Sequence, residues 1–491
     1  MVLAELLRDL PVTAVTGSLE VEIGRIVCDS RVVESGDLFV AIRGGQEQDR
    51  HRFVPEAVAR GARAVVVEEE VDTGAAVRVQ VANCRRTLAE LAARFHSHPA
   101  HRLELVGITG TKGKTTTALL VRQVFEAAGR PCGYLGTLGC VVGDELEKQA
   151  NTTPEAPELH RLLRAMVAGG KRAAALEVSS HGLVLDRVAG LEFRVGLFTN
   201  LSRDHLDFHG TVEEYLAAKA RLFEGLGSGA AAVINRDDQV AEALIARSRA
   251  PVMTYGHDPR AEVRIEGASR SAAGTCIELR TPAGPLSVTT PLIGGFNVYN
   301  ATAAVAVGLA VGLNPEAIGR GIAAMGYVPG RFERISAGQE FEVIVDYAHT
   351  PDSLRNVLQT ARDLTSGRLI CVFGCGGNRD RGKRPQMGRL AAELADLVVL
   401  TSDNPRFEEP EAIIAEIAAG LPEGTAARVL PDRLEAIRFG LETATPGDLV
   451  LIAGKGHETV QILGDRTVPF DDREVARRLL AGASAASGGG R

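Results

Sequence analysis

Apolar residues occur along this chain as short runs that alternate with longer amphipathic segments. Buried strands are predicted at 103–108, 173–177, 195–199 and 231–234, and a helix at 115–128 follows the first of them. Strands and helices that alternate at this spacing indicate a parallel sheet with helical crossovers. The centre of the chain is therefore predicted to be an α/β domain.

Further strand and helix patterns flank this centre. On the N-terminal side, strands are predicted at 37–42 and 62–67, with helices at 53–60 and 85–98. On the C-terminal side, strands are predicted at 341–345, 369–373, 397–401 and 449–453, with helices at 353–364 and 411–419. The sequence thus predicts an α/β protein of three domains, 1–100, 101–331 and 332–480. The small, polar tail at 481–491 is predicted to be disordered.

Charge and composition narrow the function classes. The formal net charge of −7 argues against a nucleic-acid binder, which usually carries a basic surplus. The stretch 281–315 has no charged residue, but its apolar part, 301–313, is too short to span a bilayer, so a buried helix is predicted and no membrane insertion. The first residues do not form a secretory signal, and the seven cysteines include no CxxC pair. A cytoplasmic protein with reduced thiols is expected.

The strongest local signal is the segment GITGTKGKTTT at 107–117. A strand leads into a glycine-rich loop that opens a helix, which directs backbone N–H groups towards phosphate. Lys114 is placed to reach the outer phosphates, and the Thr115 hydroxyl to ligate Mg²⁺. The spacing departs from GxxxxGK[ST], since Ile108 stands where that pattern requires glycine.

Polar residues follow the next two predicted strands. Glu177 ends one strand in EVSSH, and the segment 200–209, NLSRDHLDFH, follows the other. In open α/β sheets, ligands bind at the carboxyl ends of the strands. Glu177 suits a Mg²⁺ ligand, and His205 is a second candidate. A single histidine in such a place is more often a polar loop residue, so the functional interpretation depends on the adjacent phosphate loop.

Several motifs occur here in the order found in the Mur ligase family. They are GTKGKTT, EVSSHG, NLSRDHLDFHG, YLAAK at 215–219, GFNVYN at 295–300, GRFE at 330–333 and DYAHTP at 346–351. The chain resembles that family from Asp29 to about Glu458, and within it the branch that adds the third residue of the bacterial wall peptide. The resemblance implies an N-terminal nucleotide-sugar domain, a central P-loop-type ATPase domain and a C-terminal Rossmann-like domain that binds the amino acid.

The resemblance also implies ATP and two Mg²⁺ ions. The phosphate loop would supply Gly110, Thr111, Lys112, Gly113, Lys114, Thr115 and Thr116, while Asn297 and Asn300 would lie near adenine, and Arg331 and Asp346 near phosphate and ribose. The metal ligands would be Thr115, Glu177, His205 and Lys219. In the family's pattern Lys219 carries a carbamate derived from CO₂, which converts its cation into an anion. Without the resemblance, Lys219 would be interpreted as a lysine on the surface of a helix. Lys114, Lys219 and His205 would be the catalytic residues.

The second implied ligand is UDP-N-acetylmuramoyl-L-alanyl-D-glutamate. Ser30 and Gln46 would lie at its uridine end, and its muramoyl-peptide end would contact Asn151, Thr152, Thr153, Ser179 and Arg187. Two departures from the family put contacts in doubt. Leu185 stands where the family often has glutamine, and the family's His-Gln-Ala loop has Gly45-Gln46-Glu47 here.

The third implied ligand is meso-diaminopimelate. Its pocket would contain Arg379, Asp403, Asn404, Pro405, Arg406, Gly454 and Glu458. An arginine fork pairs bidentately with carboxylate, and diaminopimelate has a distal carboxylate that lysine lacks. Glu458 would take the distal ammonium. Without the rest of the chain, the segment Asp403–Arg406 would be interpreted as a turn.

The implied reaction is ATP-dependent amide ligation through an acyl phosphate, with either His349 or His181 as the base. Closure of the domains before chemistry is a hypothesis. The partners would be small molecules only, and a monomer is expected. The alternatives are a folate polyglutamate synthetase, a lysine-adding ligase of the same family, and a P-loop switch that acts on a protein partner.

Overall fold

The computed structural model describes residues 1–43, 49–143, 146–271 and 274–488. The described chain divides into two compact units. The first comprises Met1–Ala272, Cys276–Thr290 and Tyr299–Met325, and the second Ala273–Thr275, Pro291–Val298 and Gly326–Arg491. The first unit contains two separate sheets, one in each of the first two predicted domains.

The N-terminal sheet has the strand order β1-β5-β4-β3-β2. Its strands are β1 (Val12–Thr16), β2 (Ile26–Val27), β3 (Leu38–Val40), β4 (Ala64–Val67) and β5 (Val77–Val81), and its helices are α1 (Leu3–Leu7), α2 (Val54–Ala59) and α3 (Cys84–Phe95), with 3₁₀ turns at Ser30–Val32, Arg50–Phe53 and Pro99–Arg102. Every residue of β3 and β4 is buried. Burial on both faces explains why these two strands are continuous apolar runs.

The large sheet has the order β16-β15-β14-β13-β12-β11-β6-β10-β7-β8-β9. Its strands are β6 (Glu104–Thr109), β7 (Cys132–Gly136), β8 (Gly139–Val141), β9 (Leu146–Glu147), β10 (Ala173–Glu177), β11 (Phe193–Phe198), β12 (Ala231–Asn235), β13 (Val252–Gly256), β14 (Val263–Ser271), β15 (Gly274–Thr281) and β16 (Gly284–Thr290). Strand β6 pairs in parallel with both β10 and β11. The loops that follow these three strands therefore meet at one edge of the sheet.

One of the helices that accompany this sheet lies within the uncharged stretch 281–315. The helices are α4 (Lys114–Ala127), α5 (Ala156–Ala168), α6 (Ser180–Val184), α7 (Leu206–His209), α8 (Val212–Glu224), α9 (Ala241–Arg247), α10 (Gly295–Ala310) and α11 (Pro315–Ala323). On α10, Ala303, Val305 and Val307 have no exposed surface. The buried helix predicted there is confirmed. No helix in the described part of the chain is long and apolar enough to cross a membrane.

The second unit contains a sheet of order β17-β18-β22-β19-β20-β21 and a hairpin, β23-β24. The strands are β17 (Glu333–Arg334), β18 (Glu342–Asp346), β19 (Leu369–Phe373), β20 (Leu397–Leu400), β21 (Ala427–Val429), β22 (Leu449–Ala453), β23 (Val460–Leu463) and β24 (Arg466–Pro469). The helices are α12 (Pro351–Arg362), α13 (Lys383–Leu394), α14 (Pro410–Ala418), α15 (Arg433–Thr443) and α16 (Asp472–Gly488). Helix α16 extends into the tail predicted to be disordered, because the alanines there favour helix continuation. Residues 489–491 lie outside the described residues.

A buried ion pair links two helices of this unit to its loops. Arg433 on α15 donates to both carboxylate oxygens of Asp472 on α16, at 2.8 and 2.6 Å. The same guanidinium donates to the carbonyls of Ser402 and Ala453, at 3.2 and 3.0 Å. Both arginine and aspartate side chains are fully buried. The pair therefore fixes the residue immediately before each of the two loops that begin at Asp403 and Gly454.

One buried histidine of the first unit makes stability depend on pH. His160 on α5 is 2% exposed, and neither ring nitrogen has a hydrogen-bond partner among the described residues. Burial, followed by the charges of His96 and His98, lowers the pKa of His160 to about 4. An unfolded histidine has a pKa of about 6.5. Between these values the unfolded chain binds a proton that the folded chain does not, so the free energy of unfolding falls as the pH falls.

We therefore predict that His160→Phe flattens the pH dependence of stability between about pH 6.5 and 5, by up to about 1.4 kcal/mol per pH unit. Urea unfolding at several pH values measures this slope. The exposed His101→Phe is the matched control. Equal slopes in the native chain and His160→Phe would contradict the prediction.

Candidate functional site

The phosphate loop lies between β6 and α4 and is held by residues that follow β11. The Thr111 and Lys112 amides donate to the Asn200 carbonyl and side-chain oxygen, at 2.8 and 3.0 Å. A Cβ atom on Gly110 would come within 1.9 Å of the Thr199 hydroxyl, so no larger residue fits there. Lys114 folds back over the loop and donates to the Gly110 and Thr111 carbonyls, at 2.9 and 3.0 Å. The loop is thus preformed, with a helix N-terminus and a lysine at an anion site.

Glu177, at the end of β10, lies beside the first turn of α4. One carboxylate oxygen accepts from the Tyr134 hydroxyl at 2.6 Å and the Thr137 amide at 2.9 Å. The other accepts from the hydroxyls of Thr115 and Thr137, each at 3.0 Å. Adjacent ligands of an octahedral Mg²⁺ with bonds of about 2.1 Å lie about 3 Å apart. The Thr115 and Glu177 oxygens therefore fit two neighbouring Mg²⁺ ligands.

Several histidines and aromatic residues lie in the segments that follow β10 and β11. The rings of His181 and His205 are 5.0 Å apart, and those of His205 and Tyr215 are 6.3 Å apart. His209 Nε2 lies 2.8 Å from the Ser180 hydroxyl. Burial, followed by the charges of His205 and His209, lowers the pKa of His181 to about 4. His181 is therefore neutral at physiological pH.

Lys219 on α8 is buried, with 1% of its surface exposed. Its amine donates to the Gly110 carbonyl at 2.9 Å and lies 4.3 Å from the centre of the Tyr215 ring. Burial, followed by the charge of Lys114, lowers the pKa of Lys219 well below its ordinary value. The helix-surface alternative for this lysine is wrong. A buried amine with a lowered pKa is available as an uncharged nucleophile.

Residues from the predicted peptide end gather next to Glu177. The Thr153 hydroxyl donates to the Glu177 carbonyl at 2.9 Å and lies 3.0 Å from the Ser179 hydroxyl. Thr152 lies 3.1 Å from Thr137 through their hydroxyls. Arg187 donates to the Thr153 carbonyl at 2.9 Å. These side chains can hold a polar substrate beside the proposed metal ligand.

Two residues were predicted at the uridine end of the substrate. The Ser30 hydroxyl donates to Glu56 at 2.9 Å, within the region of the N-terminal sheet. Gln46 lies outside the described residues. At the departure position, Arg85 of α3 donates to the Leu185 carbonyl at 3.1 Å and pairs with Glu155 at 3.4 Å. An arginine side chain thus reaches the position where the family often has glutamine.

The predicted nucleotide residues belong to both units. Asn300 on α10 accepts from the Thr117 hydroxyl at 3.2 Å, in the first unit. In the second unit, Asn297 donates to the Ile293 carbonyl at 2.8 Å, and Arg331 stacks 4.5 Å above the Tyr347 ring. Asp346 accepts from the Phe332 and Ala348 amides, each at 2.7 Å.

The predicted amino-acid pocket lies wholly in the second unit, where charges of both signs meet. Arg406 has a left-handed backbone, with φ of 52°, and donates to the Gly377 carbonyl at 2.9 Å. Burial, followed by the charge of Arg379, lowers the pKa of Arg406. Two neighbouring cations of this kind suit a carboxylate ligand. Glu458 accepts from Asn404 at 2.7 Å and from the buried Lys455 at 3.0 Å, while burial raises the pKa of Asp403.

Family profiles match the chain over most of its length. The matches are "Mur ligase family, catalytic domain" at residues 22–96, "Mur ligase middle domain" at 108–308 and "Mur ligase, glutamate ligase domain" at 330–456. A protein of Geobacillus kaustophilus is 46% identical over 98% of this chain and 99% of its own length. The chain belongs to the Mur ligase family. The resemblance stated from the motifs is confirmed.

Two similar proteins and one solved structure carry the same name. The Geobacillus kaustophilus protein is called UDP-N-acetylmuramoyl-L-alanyl-D-glutamate--2,6-diaminopimelate ligase, as is a Gloeobacter violaceus protein that is 47% identical over 94% of both chains. A solved structure of a ligase with that name is 36% identical, covers 99% of both chains and superposes with a TM-score of 0.70. A Mycobacterium tuberculosis folylpolyglutamate synthase, 21% identical with a TM-score of 0.65, shares the fold.

In this Mur ligase, several buried residues beneath the candidate sites were not predicted from the sequence. Arg433, Lys455 and Arg384 are almost fully buried, and none was singled out. The signal available was weak, since a lysine or arginine in a helix or loop is usually exposed. The role of Arg85 was not predicted either, because its hydrogen bond to the Leu185 carbonyl joins residues far apart in sequence.

We predict that Glu177→Gln weakens binding of Mg²⁺-ATP by about tenfold, corresponding to about 1.4 kcal/mol, because it removes the charge while keeping the side chain's shape. Calorimetric titration with and without Mg²⁺ measures the difference. Glu192→Gln, at the opposite end of the sheet next to the start of β11, is the control. Unchanged Mg²⁺-ATP affinity in Glu177→Gln would show that Glu177 is not at the metal.

Proposed function

We propose that this Mur ligase joins meso-diaminopimelate to UDP-N-acetylmuramoyl-L-alanyl-D-glutamate at the expense of ATP. The observation that carries the proposal is that the Arg406 and Arg379 side chains approach each other at Gly376, and that the charge of Glu458 also acts on Arg406. Two cations and a carboxylate match a ligand with a distal carboxylate and a distal ammonium. The names of the near full-length relatives support the same substrate.

The proposed metal ligands are Thr115, Glu177 and His205 for one Mg²⁺, and carbamylated Lys219 for a second. When bound, these ions would offset the negative charge of the phosphates and the acceptor carboxylate. The buried, weakly basic amine of Lys219 suits reaction with CO₂, because only the uncharged amine forms a carbamate. Asn297, Asn300, Arg331 and Asp346 keep the ATP roles that the family resemblance implies.

The protein's part in the reaction is mostly positioning and electrostatics. An oxygen of the D-glutamyl carboxylate attacks the γ-phosphorus of ATP, the bond to the ADP oxygen breaks, and an acyl phosphate forms. The loop amides and Lys114 hold the phosphates in line for this displacement. The diaminopimelate amine then attacks the acyl carbon, and phosphate leaves with its bonding pair. Thr153, Ser179 and Arg187 orient the acceptor.

The proton of the attacking amine must pass to a base. The Nδ1–H of His349 donates to the Tyr347 carbonyl at 2.8 Å, because a carbonyl can only accept. That hydrogen bond makes Nε2 the basic nitrogen of His349. His181, with its pKa lowered to about 4, is a weak base at neutral pH. We therefore favour His349 over His181.

The proposal includes a monomer that works in the cytoplasm, where ATP is abundant. The ligands are small molecules, and the net charge of −7 gives no support for a nucleic-acid partner.

The direct test is ADP release with Mg²⁺-ATP and the UDP-muramoyl dipeptide, with meso-diaminopimelate or L-lysine in parallel. We predict turnover with diaminopimelate and little with lysine. Arg406→Met should raise KM for diaminopimelate at least tenfold and reduce the preference over lysine, because only diaminopimelate has the distal carboxylate. Equal use of lysine by the native enzyme would overturn the specificity. ADP release without the dipeptide would favour a P-loop switch that acts on a protein partner. Absence of ADP release with either amino acid would favour a folate-type ligase.

We also predict that Lys219 becomes labelled when the protein is equilibrated with ¹³C-bicarbonate. A carbamate carbon resonance should be present in the native protein and absent from Lys219→Met, because the buried amine is the reacting group. Lys171→Met is the matched control and should retain the resonance. An identical spectrum for the native protein and Lys219→Met would contradict the assignment.

A further inference from the structure

Two loops of the second unit carry the arginines of the amino-acid pocket, and we call them the fork loops: 376–379, with Arg379, and 403–408, with Arg406. The Gly377 amide donates to the Asn404 carbonyl at 2.9 Å, and the Phe407 amide donates to the Asn378 side chain at 3.1 Å. A Cβ atom on Gly377 would lie 1.9 Å from the Pro405 carbonyl oxygen. The fork loops therefore run against each other too closely for any side chain at residue 377.

A single buried guanidinium joins the fork loops from below. Arg384 on α13 is fully buried and donates to both carboxylate oxygens of Glu408, at 2.9 Å each. It also donates to the Gly376 carbonyl at 3.3 Å. The Glu408 carboxylate in turn accepts from the Asn378 amide. Arg384 and Glu408 thus contact both fork loops at once.

The chemistry of this pair makes it a rigid connection. The two parallel hydrogen bonds between a guanidinium and a carboxylate fix orientation as well as distance. Arg384, followed by the Asn378 amide, lowers the pKa of Glu408 to about 2, so the carboxylate stays charged at physiological pH. The Arg384 guanidinium is fully buried, so its carboxylate partners replace the water that would otherwise solvate it.

Arg384 has a second carboxylate partner that does not belong to either fork loop. Glu416 on α14 accepts from Arg384 at 2.8 Å. Glu416 also accepts from Arg381, which precedes α13. Among the described residues, Arg384 therefore has two carboxylate partners, and of these only Glu408 hydrogen-bonds to the loop that carries Arg379.

We propose that Arg384 and Glu408 are positioning residues that fix the separation of the Arg379 and Arg406 guanidiniums, and so set the pocket's selectivity for an amino acid with a distal carboxylate. The inference rests on the proposed function, since it assigns these residues to the same pocket. Neither residue needs to touch the substrate. The hydrogen bonds from Arg384 to Glu408 and Gly376 hold the two fork loops together before any ligand arrives, which reduces the ordering needed on binding.

The test compares Glu408→Gln with its matched control, Glu416→Gln, in steady-state kinetics. Glu408→Gln should raise KM for diaminopimelate about tenfold with kcat changed less than about twofold, because the loss is in binding rather than in chemistry. Glu416→Gln should leave KM within about twofold. A merely structural role would lower the active fraction, and hence kcat, in both variants without this split in KM.

A measurement without substrate keeps the inference separate from the proposed function. Limited trypsin digestion should cut after Arg379 and Arg406 at least about fivefold faster in Glu408→Gln than in Glu416→Gln, because the fork loops lose the charged pair that reinforces their direct hydrogen bonds. If the native enzyme does not use diaminopimelate, the proposed function fails while the digestion still decides whether the pair fixes the loops. Equal digestion of the two variants, or equal KM values, would overturn the positioning role.

Discussion

The parallel pairing of β6 with β10 and β11 is the constraint on which the first unit's site depends. The register places Ile108 opposite Glu177 and Thr109 opposite Phe198, so the three strands end at the same level. A slip of one residue would turn each side chain to the other face of the sheet. The phosphate loop, the Glu177 carboxylate and the loop that carries His205 are thus brought to one edge by backbone pairing, before any ligand contributes.

Buried cations are the second recurring device. Arg384, Arg433 and Lys455 lie beneath the loops of the amino-acid pocket. Each is held by backbone carbonyls and a carboxylate. Leaving one partner of a buried ion pair uncompensated costs about 3–5 kcal/mol, so such residues tie loop geometry to the folded state. Substrates rich in carboxylate and phosphate require sites with this fixed positive potential.

Much of the strand and helix pattern could be predicted because apolar runs and helical periodicity are local signals. The strand that became β6, the loop at 107–117 and the buried α10 all followed from a few adjacent residues. Several candidate site residues could also be proposed, since the carboxyl ends of parallel strands meet at one edge of a sheet. Their roles came from the family resemblance rather than from spacing.

The residues that escaped prediction depend on distant contacts. Arg384 meets Glu408 and Glu416, and Arg433 meets Asp472, across intervening strands and helices that no local pattern reveals. The extension of α16 to Gly488 escaped for a different reason, because small residues are compatible with both coil and helix. The structural roles of these residues depend on their position in the folded unit rather than on their residue type.

The most direct measurement of the central claim follows oxygen through the reaction. The UDP-muramoyl dipeptide is prepared with ¹⁸O in its D-glutamyl carboxylate and incubated with Mg²⁺-ATP, diaminopimelate and the protein, and the released phosphate is analysed by ³¹P NMR. Attack of the carboxylate on ATP predicts that one ¹⁸O atom passes into each phosphate as the amide forms. Phosphate without label, released at the same rate whether or not diaminopimelate is present, would contradict an acyl-phosphate ligase.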